Sequence, residues 1–357
     1  VGTNCLSVRL AQGWLQGRIA LKAKAQDWQK DLSFLLELHI EYVNGKTDVI
    51  TSNKNWKTAK GGFLEADIYD GEIFDYSLEP ENWQNVGFDD ATWLNVALID
   101  KGFDNLVSEN APSISVIKEL VPVKREDVSH KLTIYDFGEN LAGRVQITLD
   151  IKAPCEVFIE HAEVLDENRQ FYTDNLRGAQ AKVLLRFNKA GKYKYTPSFS
   201  FMGFRYARVS GVTRYQIKRI RHQVLSSNLE NTGAFECSHN SINQLYTNIN
   251  NSQISNFLDV PIDCPQRDER QGWTGDAQAF ATTAAYNSQV APFFKEWLTD
   301  LASDQYKDGA VPWIVPDVFK FARKPSAGWA DAATILPWAM YNRYGDIKFL
   351  EDQYASM

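Results

Sequence analysis

One segment of the chain, Asp263 to Asp276 (DCPQRDERQGWTGD), carries the residue types that acid–base chemistry requires. It contains four acids, two arginines and a tryptophan, and its proline and two glycines prevent a continuous helix. We therefore expect a tightly folded loop that brings its acids together. A carboxyl group among other carboxylates and beside an aromatic wall holds its proton more tightly than in water. Glu269 is the best candidate for such a proton donor.

The alternative interpretation is a surface loop whose acids and arginines only pair with one another. The flanking residues argue against it, because the apolar runs FLDVPI (257–262) and AQAFATTAA (277–285) enclose the loop. A loop anchored at both ends in a packed interior usually carries function. Cys264 lies beside the acids and could be read as a nucleophile, but no histidine is near it in sequence. We therefore favour the carboxyl group.

The segment and its continuation AQAFATTAAYN closely resemble the signature of the bacterial and fungal α-L-rhamnosidases of glycoside hydrolase family 78. The resemblance extends upstream through DFGENLAGRV, EHAEVLDENRQFYTDNLRGA and GFRYARVSG, and downstream through DQYKDGAVPWIVPDV and AGWADAATILPWAMYNRYGD. It covers most of the chain. It implies hydrolysis of terminal non-reducing α-L-rhamnose from rhamnose-containing glycosides or polysaccharides, with inversion of the anomeric centre.

The resemblance also implies roles for individual residues. Glu269 is expected to be the general acid, with Asp268 as a less favoured substitute, and Asp263 and Asp276 are expected to bind rhamnose hydroxyls and keep Glu269 protonated. Arg267 is expected to orient one of these carboxylates or to contact the sugar. The residues expected to bind substrate are Asp263, Arg267, Asp268, Trp273, Asp276, Trp329 and Asp331, with Asp317 a weaker candidate.

An inverting glycosidase needs a second acid as general base, roughly 6.5 to 9.5 Å from the first. In the family that glutamate lies much later in the catalytic barrel, and no residue of this chain matches its position. We therefore expect the full-length protein to be active and these 357 residues alone to be inactive. We expect no cofactor, because neither GxGxxG nor GxxxxGK[ST] occurs in the sequence. No metal site is predicted, since no calcium-ligand loop is legible, and calcium binding is left open.

Composition limits the classes of partner. The chain has 44% hydrophobic residues and a formal net charge of −7 without long charged blocks, so neither nucleic acid nor an anionic membrane is an expected partner. Its four cysteines are scattered without disulfide or zinc spacing. No targeting segment is legible, which leaves the compartment open between cytoplasmic and periplasmic or secreted. A homodimer is also left open.

The remaining sequence predicts the elements that position the loop. Residues 1–112 show short alternating strands, including a hairpin turned at Asn44-Gly45, and indicate an accessory β-sandwich. We expect the start of this sandwich to be truncated here, because the family domain normally begins earlier. Residues 113–213 predict a second, concanavalin-like sandwich with separate strands at 132–137 and 143–149. A linker is expected at 214–234, either as a strand or as a connecting segment.

From residue 235 onward the periodicity becomes helical. A helix capped by Ser238 is expected over 240–257, one capped by Asp276 to about 287, one around 294–301 and one over 330–344. Helix pairs joined by loops indicate the first hairpins of an (α/α)6 toroid over 235–357, in agreement with the resemblance. Two other functions stay open: a carbohydrate-binding protein without catalysis, and a toroidal enzyme that acts on another sugar.

Overall fold

A computed structural model describes residues 2–19, 31–100, 102, 104, 106–318 and 325–357 of the chain. Its first part is built of strands and its last part of helices. The loop expected to carry the chemistry lies at the start of the helical part. The fold therefore has the predicted order, β domains followed by the beginning of a helical domain.

The first β region contains one helical turn and short strands, which are α1 (Gly13–Gln16), β1 (Glu37–Glu41), β2 (Thr47–Thr51), β3 (Lys57–Thr58), β4 (Phe63–Asp67), β5 (Gly71–Asp75) and β6 (Leu94–Asn95). Strands β1 and β2 form the predicted hairpin. Its turn differs from the expectation, because Gly45 has φ +78° whereas Asn44 does not have a positive φ. The Gly45 amide donates to the Tyr42 carbonyl and the Tyr42 amide donates to the Lys46 carbonyl, each at 2.8 Å, so three residues, 43–45, lie between the paired Tyr42 and Lys46 instead of two.

The second β region consists of longer strands, namely β7 (Ser115–Leu120), β8 (Lys124–Ser129), β9 (Leu132–Ile151), β10 (Cys155–Ala162), β11 (Lys182–Phe187), β12 (Gly191–Tyr195), β13 (Met202–Ser210) and β14 (Ile217–Ser226). One sheet runs in the order β4-β5-β11-β10-β13-β9-β14-β7, with β8 and β12 also paired to β9. Strand β5 pairs in parallel with β11, so strands of both predicted sandwich regions share this sheet.

One sequence-based expectation about these strands is wrong. The separate strands at 132–137 and 143–149 form one continuous strand, β9, because its pairing with β13 continues through an irregularity near Gly138, whose φ is +82°. In the interval 214–234, for which a strand or a connecting segment was predicted, the strand β14 pairs with both β9 and β7. The carboxylates of Glu160 and Glu163 make hydrogen bonds within this region, as expected for structural acids.

The helical part contains α2 (Asn240–Asn256), α3 (Thr274–Asn287), α4 (Ala291–Asp304), α5 (Ala332–Tyr344) and α6 (Lys348–Gln353), with the short strands β15 (Phe257–Leu258) and β16 (Val260–Pro261) after α2. Helix α5 ends at Gly345, which has a left-handed conformation with φ +70°. None of the helices in the described ranges combines the length and apolarity needed to cross a bilayer.

Three expectations about the helices need correction. Helix α2 begins after His239 without a side-chain cap, so Ser238 is not its capping residue. Helix α3 begins two residues before Asp276, which therefore lies within its first turn. The helical spacing of Ile242 and Leu245 predicts a packed face of α2, yet these residues are 45% and 56% exposed. Helix α2 contacts the sheet through Ser255, and its Ile254 packs against the apolar core.

The β and helical parts share one continuous core. Phe257 stacks on Phe293 of α4 with ring centroids 4.7 Å apart, and the Ala142 amide of β9 donates to the Ser255 hydroxyl of α2 at 3.1 Å. Buried side chains of the sheet and of helices α3 to α5 belong to the same apolar cluster. The loop after β16 is therefore held between two packed bodies.

Candidate active site

The chain between β16 and α3 forms the predicted irregular loop. Its ends are joined across a short gap, because the Asp263 amide donates to the Gln271 carbonyl at 3.1 Å and the Gln271 amide donates to Asp263 Oδ1 at 2.9 Å. The flanking residues Leu258 and Ala277 are 2% and 4% exposed, so both ends lie in the interior. The sequence-based prediction of an anchored loop is confirmed.

Arg270 fixes the middle of the loop to the β region. Its side chain is fully buried, and Nη1 donates to the main-chain carbonyls of Ile68 and Phe201 at 2.6 Å each. The guanidinium also lies 5.4 Å from the centre of the Tyr69 ring. Burial lowers the Arg270 pKa to about 10. Arg270 therefore anchors the loop to the β region through main-chain carbonyls. A surface arginine paired with a carboxylate would not provide this contact.

Glu269 is brought to the same place by hydrogen bonds of its main chain. Its carbonyl oxygen accepts from the Tyr69 hydroxyl at 2.7 Å and from Gln271 Nε2 at 2.6 Å. Its side chain is 7% exposed, and two guanidinium groups contact one of its oxygens: Arg177 Nη1 and Arg267 Nε each lie 2.8 Å from Oε2. Within the described ranges, no hydrogen bond is made to Oε1. The surroundings of Glu269 thus contain two cations besides the expected acids.

Asp263 and Cys264 also lie beside the Glu269 carboxylate, and Arg267 Nη2 is 3.6 Å from Asp263 Oδ2. The Cys264 thiol donates to Asp263 Oδ2 at 2.9 Å and lies 3.8 Å from Glu269 Oε2. Burial raises the pKa of Asp263 to about 6, and burial also raises the pKa of the Cys264 thiol. A buried thiol that holds its proton is a hydrogen-bond donor here, which argues against the nucleophile interpretation.

Asp268 faces away from this carboxylate pair. Its side chain is 3% exposed, and a Cβ atom placed on Gly178 would lie 2.6 Å from its Oδ2. Its Oδ1 has no hydrogen-bond partner in the described part of the chain. Asp268 therefore packs against the chain segment that also carries Arg177.

Trp273, Trp329 and Asp276 lie near the start of α3. A Cβ atom on Gly275 would meet Nε1 of Trp329 at 3.0 Å and the Gly328 carbonyl oxygen at 3.0 Å, so the Trp329 indole lies directly over Gly275. Trp329 is 38% exposed and Trp273 is half-buried. Partial desolvation and the nearby Glu269 carboxylate raise the pKa of Asp276. The loop and α3 thus bring the Trp329 indole and two acids, Asp276 and Glu269, to one area, whereas Trp273 packs beside Ile19, Ile314 and Val318.

Two weaker candidates are engaged in local structure. Asp331 Oδ2 accepts from the Gly328 amide at 2.9 Å and closes the turn before α5. The Asp317 carboxylate accepts from the Tyr306 hydroxyl, and its amide donates to Asp304 Oδ2 at 2.7 Å. Neither contact brings the carboxylate to Glu269.

A metal ion has one candidate location among the residues that the structure describes. The ligand atoms of Asp263, Cys264 and Glu269 lie within 4.8 Å of one another. Two guanidinium groups already bind Glu269 at this place, and their positive charges oppose a cation. The residues present therefore fit an acid–base site better than a metal site.

Sequence models of three domain families match almost the whole chain. They are the alpha-L-rhamnosidase N-terminal domain over residues 1–118, the bacterial alpha-L-rhamnosidase concanavalin-like domain over 126–227 and the bacterial alpha-L-rhamnosidase six-hairpin glycosidase domain over 230–357. The chain belongs to the bacterial α-L-rhamnosidase family. The order of the three matches agrees with the predicted order of two β domains and the start of an (α/α)6 toroid.

Individual α-L-rhamnosidases match over the full chain. The chain is 39% identical over 360 residues to an alpha-L-rhamnosidase of Alteromonas sp. (strain LOR) and 36% identical over 362 residues to one of Streptomyces avermitilis. These matches span 99% and 100% of this chain but only 39% and 35% of the two relatives. The chain thus spans less than half the length of the curated relatives.

Solved α-L-rhamnosidase structures share the fold. The Streptomyces avermitilis enzyme complexed with L-rhamnose superposes with a TM-score of 0.89 at 35% identity, covering 96% of this chain and 33% of that one. The native enzyme from Aspergillus terreus superposes with a TM-score of 0.91 at 33% identity, covering 97% and 40%. The described part of the chain therefore has the fold of the matching part of these two solved structures.

Two residues that contact Glu269 are not among the predicted site residues. Arg177 contacts Glu269 from the second β region, and the sequence left open whether the segment 175–177 approaches the active site. Tyr69 reaches the Glu269 carbonyl from the first β region. For Arg177 a signal existed, since it stands in the family-like string TDNLRGA. For Tyr69 we find no local sequence signal.

Proposed function

We propose that the full-length protein hydrolyses terminal non-reducing α-L-rhamnosides with Glu269 as general acid. The observation that carries the proposal is the fixed Glu269 carboxyl, 7% exposed, with two guanidinium groups on Oε2 and none on Oε1 among the described residues. Because both guanidinium groups contact Oε2, Oε1 is the oxygen on which we place the transferred proton. Family membership and the rhamnose-complexed Streptomyces avermitilis structure support rhamnose as the sugar.

The proposed reaction is a single displacement. Oε1–H of Glu269 gives its proton to the glycosidic oxygen, the bond between C1 and that oxygen breaks, and a water oxygen bonds to C1 from the opposite face. A general base accepts the proton that the water loses, so the products are L-rhamnose and the free aglycone alcohol. The proton balance then closes when the base returns a proton to Glu269 through solvent.

Asp263 does not suit the role of that base. Its ligand oxygen lies within 4.8 Å of that of Glu269, whereas inverting enzymes separate the two carboxyl groups by roughly 6.5 to 9.5 Å. Both Asp263 oxygens also accept hydrogen bonds, from the Gln271 amide and the Cys264 thiol. We assign Asp263 to orienting the loop and expect the base from residues of the longer protein outside positions 1–357.

Sugar binding is assigned to the area beside the start of α3. Trp273 and Trp329 supply apolar faces that suit the methyl group of rhamnose, and Asp276 supplies an acceptor for its hydroxyls. Arg267 holds the Glu269 carboxylate from the same loop. Asp331 is a secondary candidate because it shapes the turn that carries Trp329, and Asp268 is reassigned to packing against Gly178.

The test is turnover of 4-nitrophenyl α-L-rhamnoside by the full-length protein, compared with the corresponding α-L-fucoside and α-D-mannoside. We expect the rhamnoside alone to be cleaved, and we expect Glu269→Gln to lower kcat by roughly 10² to 10⁴ on methyl α-L-rhamnoside, whose leaving oxygen requires a proton. Glu156→Gln is the matched control, because Glu156 makes an exposed ion pair with Arg186 on the sheet. Proton NMR of the first product should show the inverted anomer.

Other outcomes would contradict the proposal in distinguishable ways. Cleavage of another glycoside would indicate a toroidal enzyme with a different sugar. Rhamnose binding without turnover of any substrate would indicate a carbohydrate-binding protein. An unchanged kcat in Glu269→Gln would remove that residue from the role of general acid.

A further inference from the structure

Arg177 lies in the segment before β11 of the second β region and contacts the candidate active site at the start of the helical part. A single helical turn, Asp174–Leu176, precedes it, and Arg177 itself has φ 56° and ψ −110°. A positive φ is uncommon for a residue with a side chain and persists where the surroundings enforce it. The neighbours of Arg177 provide that constraint.

Two contacts hold this turn in place. Asn175 Nδ2 donates to Glu163 Oε2 at 2.7 Å, and Leu176 is 4% exposed in the core of the β region. On the other side, Gly178 lies against the buried Asp268. Arg177 is thus fixed from both sides, with its side chain directed at the catalytic loop.

Arg177 and Arg267 share one acceptor. Each lies 2.8 Å from Glu269 Oε2, one donor coming from the β region and the other from the loop itself. Charge-assisted hydrogen bonds of this kind fix both the orientation and the charge distribution of a carboxyl group. With both donors on Oε2, a proton on Glu269 is directed to Oε1.

We propose that Arg177 is a positioning residue for the general acid, supplied by the β region to the helical domain. This inference rests on the function proposed above. Arg177 does not transfer a proton itself; it holds Oε2 so that Oε1 presents its proton to the leaving group. The concanavalin-like domain therefore takes part in forming the active site.

The alternative is an ion pair that only joins the two domains. The Arg177 side chain is 45% exposed, and pairs that are open to solvent contribute little to stability. A purely structural pair would affect every substrate equally. Loss of a residue that positions the acid lowers kcat most for substrates whose leaving oxygen must be protonated, and least for substrates whose leaving group departs as a stable anion.

The experiment compares two leaving groups in the full-length protein. Methyl α-L-rhamnoside needs protonation of its leaving oxygen, whereas 2,4-dinitrophenyl α-L-rhamnoside leaves as a stable anion. We expect Arg177→Met to lower kcat roughly 10-fold on the methyl rhamnoside and less than about 2-fold on the dinitrophenyl rhamnoside. Arg177→Lys should recover part of the loss, because it keeps a cation at the site.

Arg186→Met is the matched control, since the Arg186 side chain is 40% exposed and pairs with Glu156 on the same sheet at 2.9 Å. It should leave both rates unchanged. Equal losses of Arg177→Met on both substrates, or no loss on either, would overturn the inference while the proposed function stands. A wild-type protein that cleaves neither rhamnoside would overturn the proposed function and this inference with it.

Discussion

Replacing Arg270 by methionine and by lysine tests how the loop is anchored. Methionine leaves the carbonyls of Ile68 and Phe201 without their donor, at a cost of about 1–3 kcal/mol each. It also removes a buried charge, and this removal stabilises the closed loop by about 3 kcal/mol, because burial lowers the Arg270 pKa from 12.5 to about 10. The two effects largely cancel. We expect a net loss of about 1 kcal/mol in the free energy of loop opening.

Lysine keeps the buried charge and is the worse substitute. An ammonium group is more strongly hydrated than a guanidinium, and it lacks the planar face that Arg270 lays against Tyr69 and Phe201. Both variants lose the bond from Nε to the Arg267 carbonyl, so that loss does not distinguish lysine from methionine. We therefore expect a loss of about 4 kcal/mol, although arginine to lysine is often treated as conservative.

Hydrogen–deuterium exchange of the peptide 263–273 at pH 7 measures both losses. One kcal/mol corresponds to about 5-fold faster exchange, so the methionine variant should exchange roughly 5-fold faster and the lysine variant more than 100-fold faster than the wild type. Peptides from β9 serve as the internal control and should not change. A lysine variant that exchanges like the wild type while the methionine variant opens freely would refute this account of the anchor.

Two further predictions concern the sugar wall and the pH dependence of stability. Gly275→Ala should raise KM for a rhamnoside roughly 10-fold by displacing Trp329, because the new Cβ would lie 3.0 Å from its Nε1. Gly61→Ala is the control. Its new Cβ would meet only the end of the Glu79 side chain, so KM should not change. Burial lowers the pKa of His161 to about 4, so between pH 6.5 and 4 the unfolded chain binds a proton that the folded chain does not. Stability should therefore fall by about 3 kcal/mol as the pH decreases through that window. Urea titrations should show that His161→Gln loses about 3 kcal/mol less unfolding free energy over this pH range than the wild type does. An identical pH dependence in both proteins would contradict the argument.

The loop could be predicted from the sequence because its signals are local. Pro265, Gly272 and Gly275 interrupt helical structure, and apolar runs on both sides indicate anchoring. The candidate proton donor Glu269 followed from residue type and family resemblance. The structure adds the geometry, in which both arginines bind the same oxygen.

The contacts that hold the loop could not be predicted, because they come from distant parts of the chain. Tyr69 and Arg177 are 200 and 92 residues away from Glu269 in sequence. Their positions depend on the sheet that joins both β regions, and strand composition does not specify which strands become neighbours. The parallel pairing of β5 with β11 belongs to the same class of unpredicted contact.

Errors in element boundaries also have physical causes. Gly138 was expected to interrupt a strand, but β9 accommodates its positive φ and continues. Ser238 and Asp276 both have side chains that favour helix starts, yet neither occupies the capping position. Residue preference indicates that a helix begins nearby, whereas tertiary packing decides the first residue.

The most direct test of the central claim is a crystal structure of the full-length protein with L-rhamnose. The account predicts sugar density between Trp273 and Trp329, with Glu269 Oε1 at hydrogen-bond distance, about 3 Å, from the anomeric oxygen. Arg177 and Arg267 should both remain on Oε2. Rhamnose bound elsewhere, or a Glu269 carboxyl directed away from the sugar, would contradict the claim.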